Sequence, residues 1–122
     1  GKTQLALALI SHARASGIFA RLVADDQLFL SAAHGRLICT APEAIAGLVE
    51  VRGLGPVPVV HEHRAVADLL VRLVGAGEAG RFPEPETETI LGCELPRMRL
   101  AEGDTQRAAL AVLARLCLPG FC

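Results

Sequence analysis

Two helix-forming segments enclose a series of short apolar segments in this chain of 122 residues. Residues 3–16 are dense in Leu, Ala and Ile without a proline, and Ser16-Gly17 is typical of a helix end. A second helix is predicted to start at Asp104 or Thr105, either of which can cap it, and to run through Cys117. The order helix, strands, helix predicts one α/β layer system.

The strand predictions lie between residues 21 and 100. Residues 21–24 are expected to form a short buried strand that ends in Asp25-Asp26, and His34-Gly35 is expected to turn a hairpin. Residues 66–74 stay ambiguous, because their apolar spacing fits a helix while Val and Leu dominate. The other predicted features are hairpin strands at 28–30 and 36–39, a helical turn at 43–47, a loop at 53–56 and strands at 48–52, 57–60, 90–91 and 97–100.

Composition excludes several classes of protein. Hydrophobic residues make up 52% of the chain and charged residues 20%, which excludes a disordered polymer. The net charge of −1 and the scarcity of aromatic residues (four Phe, no Trp or Tyr) argue against a nucleic-acid partner and predict an aliphatic core. No apolar run reaches the roughly 18–20 residues that cross a bilayer, so no membrane association is expected. The cysteines, at 39, 93, 117 and 122, lack C-x-x-C spacing, which predicts structural thiols in a reducing, cytoplasmic compartment.

Gly1-Lys2-Thr3 matches the second half of a phosphate-binding loop, whose full pattern is G-x-x-x-x-G-K-[ST]. Backbone N–H groups and the dipole at the start of a helix favour phosphate oxygens. In such a loop Lys2 can reach the β- and γ-phosphates of a nucleotide, and the hydroxyl of Thr3 can ligate Mg²⁺. A chance match is the alternative, because the first glycine of the pattern would lie before residue 1.

Asp25-Asp26 follows an apolar segment, as the acidic residue of a Walker B site does. A carboxylate in that position can meet Mg²⁺ or a nucleophile. Adjacent residues on an extended segment point to opposite sides, so one aspartate is expected to face the phosphates and the other to orient the loop. A solvated turn is the alternative.

The third motif is Glu50-Val51-Arg52-Gly53-Leu54-Gly55. Alternation along a strand places Glu50 and Arg52 on one face, and the two glycines permit close approach by a ligand or another chain. A structural ion pair between Glu50 and Arg52 is the alternative.

Together these motifs resemble the catalytic domain of HPr kinase/phosphorylase, a bacterial enzyme that phosphorylates a serine of the phosphocarrier protein HPr. The run Glu50 to Gly55 is the most specific of them. Arg81-Phe82-Pro83-Glu84, Leu91-Gly92 and Leu95-Pro96 match further stretches of the family, so the similarity extends from Gly1 to near Leu100.

The resemblance implies an α/β fold, namely a P-loop kinase domain of the HPr kinase/phosphoenolpyruvate carboxykinase-like type, with a twisted mixed β-sheet and flanking helices. It implies one catalytic domain over residues 1–122, a short form without the N-terminal domain of longer members. The start of the P-loop and the preceding strands are expected outside this chain.

The resemblance also implies ATP and Mg²⁺ as cofactors, with Gly1, Lys2 and Thr3 on the nucleotide. Thr3 and Glu50 would hold the metal, and Lys2 would bind the β- and γ-phosphates. The implied partner is an HPr-type phosphocarrier protein, and relatives assemble as hexamers.

For the transfer step, the resemblance implies that Asp26 accepts the proton of the substrate serine, with Asp25 in support. Asp26 would return that proton when inorganic phosphate attacks phosphoserine, the reverse reaction called phosphorolysis. Arg81 would neutralise charge on the transferring phosphoryl group. These roles agree with what phosphoryl transfer requires, which is positioning, a metal, positive charge and a base.

The chain departs from the family pattern in four ways. The first part of the P-loop and a catalytic histidine expected before it are not in the chain, and the segment 10–20 is longer than in most relatives. Gln4 stands where an acidic residue commonly follows the P-loop hydroxyl, and residues 101–107 do not match the basic loop linked to dephosphorylation. Kinase activity is therefore favoured over phosphorolysis. Two alternatives stay open: a P-loop kinase of a small metabolite or a relative of phosphoenolpyruvate carboxykinase, and a non-catalytic, nucleotide-responsive regulator that keeps Lys2 and Thr3.

His61-Glu62-His63 has the two-residue spacing that puts both imidazoles on one face of a strand. It is not an H-E-x-x-H motif, since residue 65 is Ala, and no third ligand follows at a suitable spacing. The segment is therefore expected to be a surface loop or edge strand. His12 and His34 are expected to be exposed.

Overall fold

The computed structural model describes residues 1–80 and 85–116. The predicted catalytic Arg81 and the expected helix end at Cys117 lie outside the described residues. The helices are α1 (Lys2–Ala15) and α2 (Thr105–Arg115), and the strands are β1 (Phe29–Ala33), β2 (Arg36–Thr40), β3 (Leu48–Val51), β4 (Gly55–Pro58), β5 (Arg64–Ala67), β6 (Leu70–Val74), β7 (Glu86–Ile90) and β8 (Cys93–Ala101).

Both helices begin within a residue of where the side chains predict, and α1 ends at the predicted Ser16-Gly17. After α1 the chain turns through Gly17, whose φ of 74° is accessible to glycine at little cost and which donates its N–H to the carbonyl of Arg14. Asp104 caps α2, because its Oδ1 accepts a hydrogen bond of 3.1 Å from the backbone N–H of Arg107. The predictions of an opening helix and of a closing helix capped at Asp104 are confirmed.

The predicted hairpin is confirmed as β1 and β2, which pair antiparallel from Phe29 opposite Thr40 to Ala33 opposite Arg36. His34 and Gly35 connect the strands with φ of 53° and 77°. Two left-handed residues in a two-residue loop match the right-handed twist of the paired strands. Strand β5 pairs antiparallel with the other edge of β2, which completes a three-stranded sheet.

Several strand predictions differ from the structure, among them the strand predicted at 57–60, which is Gly55–Pro58. Residues 21–24 do not form a full strand and make one isolated parallel bridge, between Leu22 and His61. The ambiguous segment 66–74 is not helical and contributes to β5 and β6 instead. The strand expected over 48–52 ends one residue early, because the N–H of Leu54 donates to the carbonyl of Val51 and closes a turn. Arg52 therefore lies in that turn and not beside Glu50 on a strand face.

The α/β class is confirmed, but the strands form three sheets where one twisted mixed sheet was expected. Besides the sheet β1-β2-β5, there is a β3-β4 hairpin and a three-stranded sheet in the order β6-β8-β7. Turns that contain residues with a left-handed φ separate the strands, and each sheet has only two or three strands within the described residues.

The chain divides into two compact units. The described part of the first unit comprises residues 1–20, 71–80, 85–86 and 97–116, and that of the second comprises residues 21–70 and 87–96. The expectation of one catalytic domain over residues 1–122 stays a prediction.

In the first unit, α1 and α2 pack through small and aliphatic side chains. Leu5, Ala108 and Ala109 are buried together, and Leu73 and Leu100 lie against them. Two consecutive alanines on α2 allow close approach of the helices, because they add no side chain beyond Cβ.

In the second unit, the buried cluster is formed by Leu37, Cys93 and Leu95. Phe19 and Phe29 are 71% and 64% exposed, so the expectation of an aliphatic core is confirmed for the described residues. Cys93 is a free, buried thiol, and burial raises the pKa of the Cys39 thiol. A raised pKa disfavours the reactive thiolate, which agrees with the structural role predicted for Cys39.

Glu86, in the first unit, accepts hydrogen bonds from two arginines. Its Oε2 lies 2.6 Å from Nη2 of Arg97 and 3.2 Å from Nε of Arg99. The hydrogen bond from Arg97 is the main reason that the pKa of Glu86 lies below its ordinary value of about 4.5. This cluster therefore stabilises the folded chain only while Glu86 is ionised.

We expect this stabilisation to be complete at neutral pH and to be lost as the pH falls below about 4.5, since the unfolded chain takes up the proton first. Glu86→Gln should lower the unfolding midpoint at pH 7, and the difference from the wild type should shrink as the pH falls toward 3. Urea unfolding at several pH values measures this. Glu78→Gln, at an exposed position, is the control. A difference between Glu86→Gln and wild type that stays constant with pH would contradict the role of Glu86.

No helix within residues 1–80 and 85–116 is both long and apolar enough to cross a membrane.

Candidate functional site

The first turn of α1 has the composition of an anion-binding helix end. Gly1 occupies the N-cap position, and its carbonyl accepts the N–H of Leu5 at 3.0 Å, which closes the first helical turn. Lys2 and Thr3 follow at once, and the first turn contains no acidic residue. A Cβ at Gly1 would lie 3.2 Å from Cδ1 of Leu73, so the backbone passes close to that side chain. A positive helix end with a lysine and a hydroxyl suits phosphate oxygens.

The two adjacent aspartates, Asp25 and Asp26, lie in a tight turn of the second unit and not on an extended segment. The N–H of Gln27 donates to the carbonyl of Asp25 at 2.6 Å, so three residues close the turn with Asp26 at its centre. The φ of Asp26 is 58°, a left-handed conformation that costs energy for residues other than glycine. Strained backbone of this kind concentrates at functional sites.

Glu50 is joined to this turn by a hydrogen bond across 25 positions of sequence. Its backbone N–H donates to Oδ2 of Asp25 at 3.2 Å. The preceding residue, Val49, is 1% exposed and anchors β3, while Glu50 itself is exposed. The bond uses the main chain of Glu50, so the carboxylate of Glu50 stays available for a ligand.

A cavity of about 270 Å³ lies where these groups meet. Its lining combines three carboxylates with an amide and an apolar wall, namely Asp25, Asp26, Gln27, Ile45, Leu48, Glu50 and Pro56. All seven residues belong to the second unit. The structure thus brings together three of the residues that the sequence singled out, at an open cavity beside the turn that contains the two aspartates.

This lining supplies hard oxygen donors. Within residues 1–80 and 85–116, no three His, Cys, Asp or Glu side chains are grouped so that they could hold a metal ion by themselves. Magnesium in phosphoryl-transfer sites is commonly held by one or two carboxylates together with substrate phosphates and waters. Two carboxylates and a cavity wide enough for phosphate oxygens therefore fit that cation.

The other predicted site residues are distributed as follows. Gly1, Lys2 and Thr3 belong to the first unit, and Arg81 lies outside the described residues. In the motif that begins at Glu50, Val51 ends β3 and the segment 52–54 forms the turn into β4. Gly53 and Gly55 have φ of 85° and 101°, so the turn itself requires both glycines. The catalytic and binding roles of these residues stay predictions.

Sequence reasoning missed His61. It was expected in an exposed loop or edge strand, but it is half-buried and bridges to Leu22. Gly47 is the sequence feature that could have indicated this packing, because a glycine has no side chain and leaves room for the imidazole. His12, expected to be exposed, is half-buried and lies 2.6 Å from Oε1 of Gln106 through Nε2. His34 is exposed, as predicted.

Proteins similar to this chain include a curated sequence and a solved structure. No protein-family model matches the chain. The chain is 35% identical over 75 residues to HPr kinase/phosphorylase of Clostridium tetani, a match that covers 62% of this chain and 23% of that protein. The chain therefore spans less than a quarter of the length of that curated relative.

The second similarity is structural. The structure of the HPr(Ser) kinase/phosphatase from Coxiella burnetii superposes with a TM-score of 0.73 and 25% identity, covering 95% of this chain and 81% of that chain. This superposition extends over nearly all elements described above. It agrees with the match to the clostridial protein and with the motifs at Gly1, Asp25 and Glu50. The resemblance seen in the sequence is confirmed, and the chain is HPr kinase-like in both sequence and fold.

Proposed function

We propose that this chain forms the core of an ATP- and Mg²⁺-dependent protein-serine kinase that phosphorylates an HPr-type phosphocarrier protein. The observation that carries the proposal is the meeting of Asp25, Asp26 and Glu50 at one cavity, with Asp25 bonded to the backbone of Glu50. These are the acidic residues that a phosphoryl-transfer site needs for its metal and its base. The similarity to two HPr kinases supports the choice of reaction.

In this proposal Gly1, Lys2 and Thr3 bind the nucleotide at the positive end of α1. Lys2 is exposed and can reach phosphate oxygens, and the Thr3 hydroxyl is one ligand of Mg²⁺. Glu50 is a proposed metal ligand of the second unit, since its carboxylate is exposed at the cavity while its N–H donates to Asp25. When bound, the metal supplies charge neutralisation on the phosphates.

Asp26 is the proposed base for the acceptor serine. Its carboxylate is exposed at the cavity, and the three-residue turn presents it there. It accepts the proton of the hydroxyl, whose oxygen then forms the bond to phosphorus while the bond to the leaving ADP breaks. Asp25 positions this turn and does not contact the acceptor. Arg81 is proposed to neutralise charge on the phosphoryl group.

The apolar wall of Ile45, Leu48 and Pro56 gives the cavity a surface that a protein substrate can cover. An HPr-type protein is the proposed partner, since both similar proteins are named for action on HPr. We propose the cytoplasm as compartment and a homo-hexamer as assembly, both by analogy with HPr kinases.

The proposal is tested by incubating the protein with HPr and ATP labelled at the γ-phosphate. We expect Mg²⁺-dependent label on HPr and none on an HPr variant whose acceptor serine is replaced by alanine. Label on a small metabolite, with none on HPr, would contradict the choice of substrate. Failure of inorganic phosphate to remove the label would show that phosphorolysis is absent.

A second candidate, a nucleotide-responsive regulator without turnover, is favoured by one feature. Gln4 is exposed in the first turn of α1, where an acidic residue would add charge near the metal. Tight ATP binding without transfer to HPr would support this candidate.

A further inference from the structure

The segment 59–62 lies beside both of the chain segments that carry the acidic residues of the cavity. On one side, His61 forms the parallel bridge to Leu22, and the N–H of Glu62 donates to the carbonyl of Leu22 at 2.9 Å. The ion pair between Arg21 and Glu62, at 3.1 Å, adds to this connection. Only two residues separate Leu22 from Asp25, so the bridge restrains the backbone just before the aspartate turn.

On the other side, the same segment contacts the turn that leads into Glu50. The N–H of Val59 donates to the carbonyl of Gly47 at 2.7 Å. Gly47 is buried and has a φ of 74°. A Cβ at Gly47 would lie 2.6 Å from both Cε1 and Nδ1 of His61, so the imidazole fills the space that any larger residue would need.

From these contacts we infer that His61 is a positioning residue, whose ring fixes the spacing between the aspartate turn and Glu50. This inference rests on the proposed function, in which Asp25, Asp26 and Glu50 act at one cavity. His61 itself does not line that cavity. Its ring packs against Gly47, and its Nδ1 lies 3.3 Å from the carbonyl of Val59, which orients the imidazole.

The bond that reports this spacing is the one from the N–H of Glu50 to Oδ2 of Asp25. If the ring is removed, Gly47 loses its packing partner, and the two residues between it and Glu50 can move away from Asp25. The hydrogen bond from the Glu50 amide to Asp25 should then break more often. A metal held by the Glu50 carboxylate should bind more weakly, since supporting residues around a metal site affect affinity strongly.

We expect His61→Ala to speed hydrogen exchange of the Glu50 amide about tenfold, measured by NMR, in a chain that remains folded. The Mg²⁺ concentration for half-maximal transfer to HPr should rise about tenfold, while the KM for HPr changes little. His61→Phe keeps a planar ring and should restore both quantities. His63→Ala is the matched control, because His63 is exposed and touches the His61 ring only edge-on, with centroids 5.3 Å apart.

Unchanged Glu50 exchange in His61→Ala would overturn the inference, and so would an equal effect of His63→Ala. If His61→Ala does not fold, His61→Phe and Gly47→Ala carry the test. His61→Phe should then leave Glu50 exchange as in the wild type. Gly47→Ala should speed it, because the added Cβ would displace the imidazole, and should do so more than Gly35→Ala, which has a similar left-handed φ but no atom near its Cβ. Unchanged exchange in Gly47→Ala, or an equal effect of Gly35→Ala, would overturn the inference. If the variants show these exchange effects but the wild-type protein transfers no phosphoryl group to HPr, the proposed function alone is contradicted.

Discussion

Replacing Asp26 by asparagine is expected to abolish phosphoryl transfer to HPr while ATP still binds. The carboxylate is the proposed proton acceptor, and general bases contribute at least about 100-fold to such rates. Asparagine has nearly the same size and tolerates the left-handed φ of 58° at this position, so the turn should persist. The substitution thus removes the base and leaves the backbone in place.

The measurement is the initial rate of label transfer from ATP to HPr, with nucleotide binding followed separately by calorimetry. Asp68→Asn is the matched control, because Asp68 is also exposed in the second unit and makes only a surface ion pair with Arg36. Transfer by Asp26→Asn at the rate of the control would remove Asp26 from the base role.

A second large effect is expected from Glu50→Gln, which should raise the Mg²⁺ requirement for transfer about tenfold or more. Glutamine is isosteric but neutral, so it is a weaker ligand for a hard cation. The hydrogen bond to Asp25 comes from the backbone of residue 50 and survives the substitution. A change in the metal titration would therefore report the loss of the carboxylate and not a displaced strand.

Transfer rates measured over a range of Mg²⁺ concentrations give this requirement directly. Glu94→Gln makes the same chemical change at an exposed strand position and should leave the titration unaltered. Superimposable titrations of Glu50→Gln and Glu94→Gln would exclude Glu50 as a metal ligand.

Several elements could be predicted from local sequence because their causes are local. A proline-free run of Leu, Ala and Ile predicts α1, and an aspartate side chain at its cap fixes the start of α2. His34-Gly35 predicts the hairpin turn, since glycine accepts the φ that the turn requires. In each case the deciding interactions lie within a few residues.

Other features could not be predicted from patterns. Residues 21–24 look like a strand, yet tertiary structure gives them one bridge to His61. The apolar spacing of residues 66–74 fits a helix, but antiparallel pairing with β2 puts part of this segment in β5. Pairing with a distant segment decided both cases, since residues 21–24 have only one pairing position while part of 66–74 is paired along a whole strand.

For the candidate site, the sequence alone singled out the residues proposed to carry the chemistry: a lysine and a hydroxyl at a helix start, two adjacent aspartates, and a glutamate before a glycine turn. Only the tertiary structure decided that Asp25 bonds the backbone of Glu50 at a shared cavity, and that the ring of His61 fills the space at Gly47. The physical reason is that residue type sets the acid, base and ligand properties of a side chain. The distance between groups 14 or 25 positions apart depends on how the intervening chain packs.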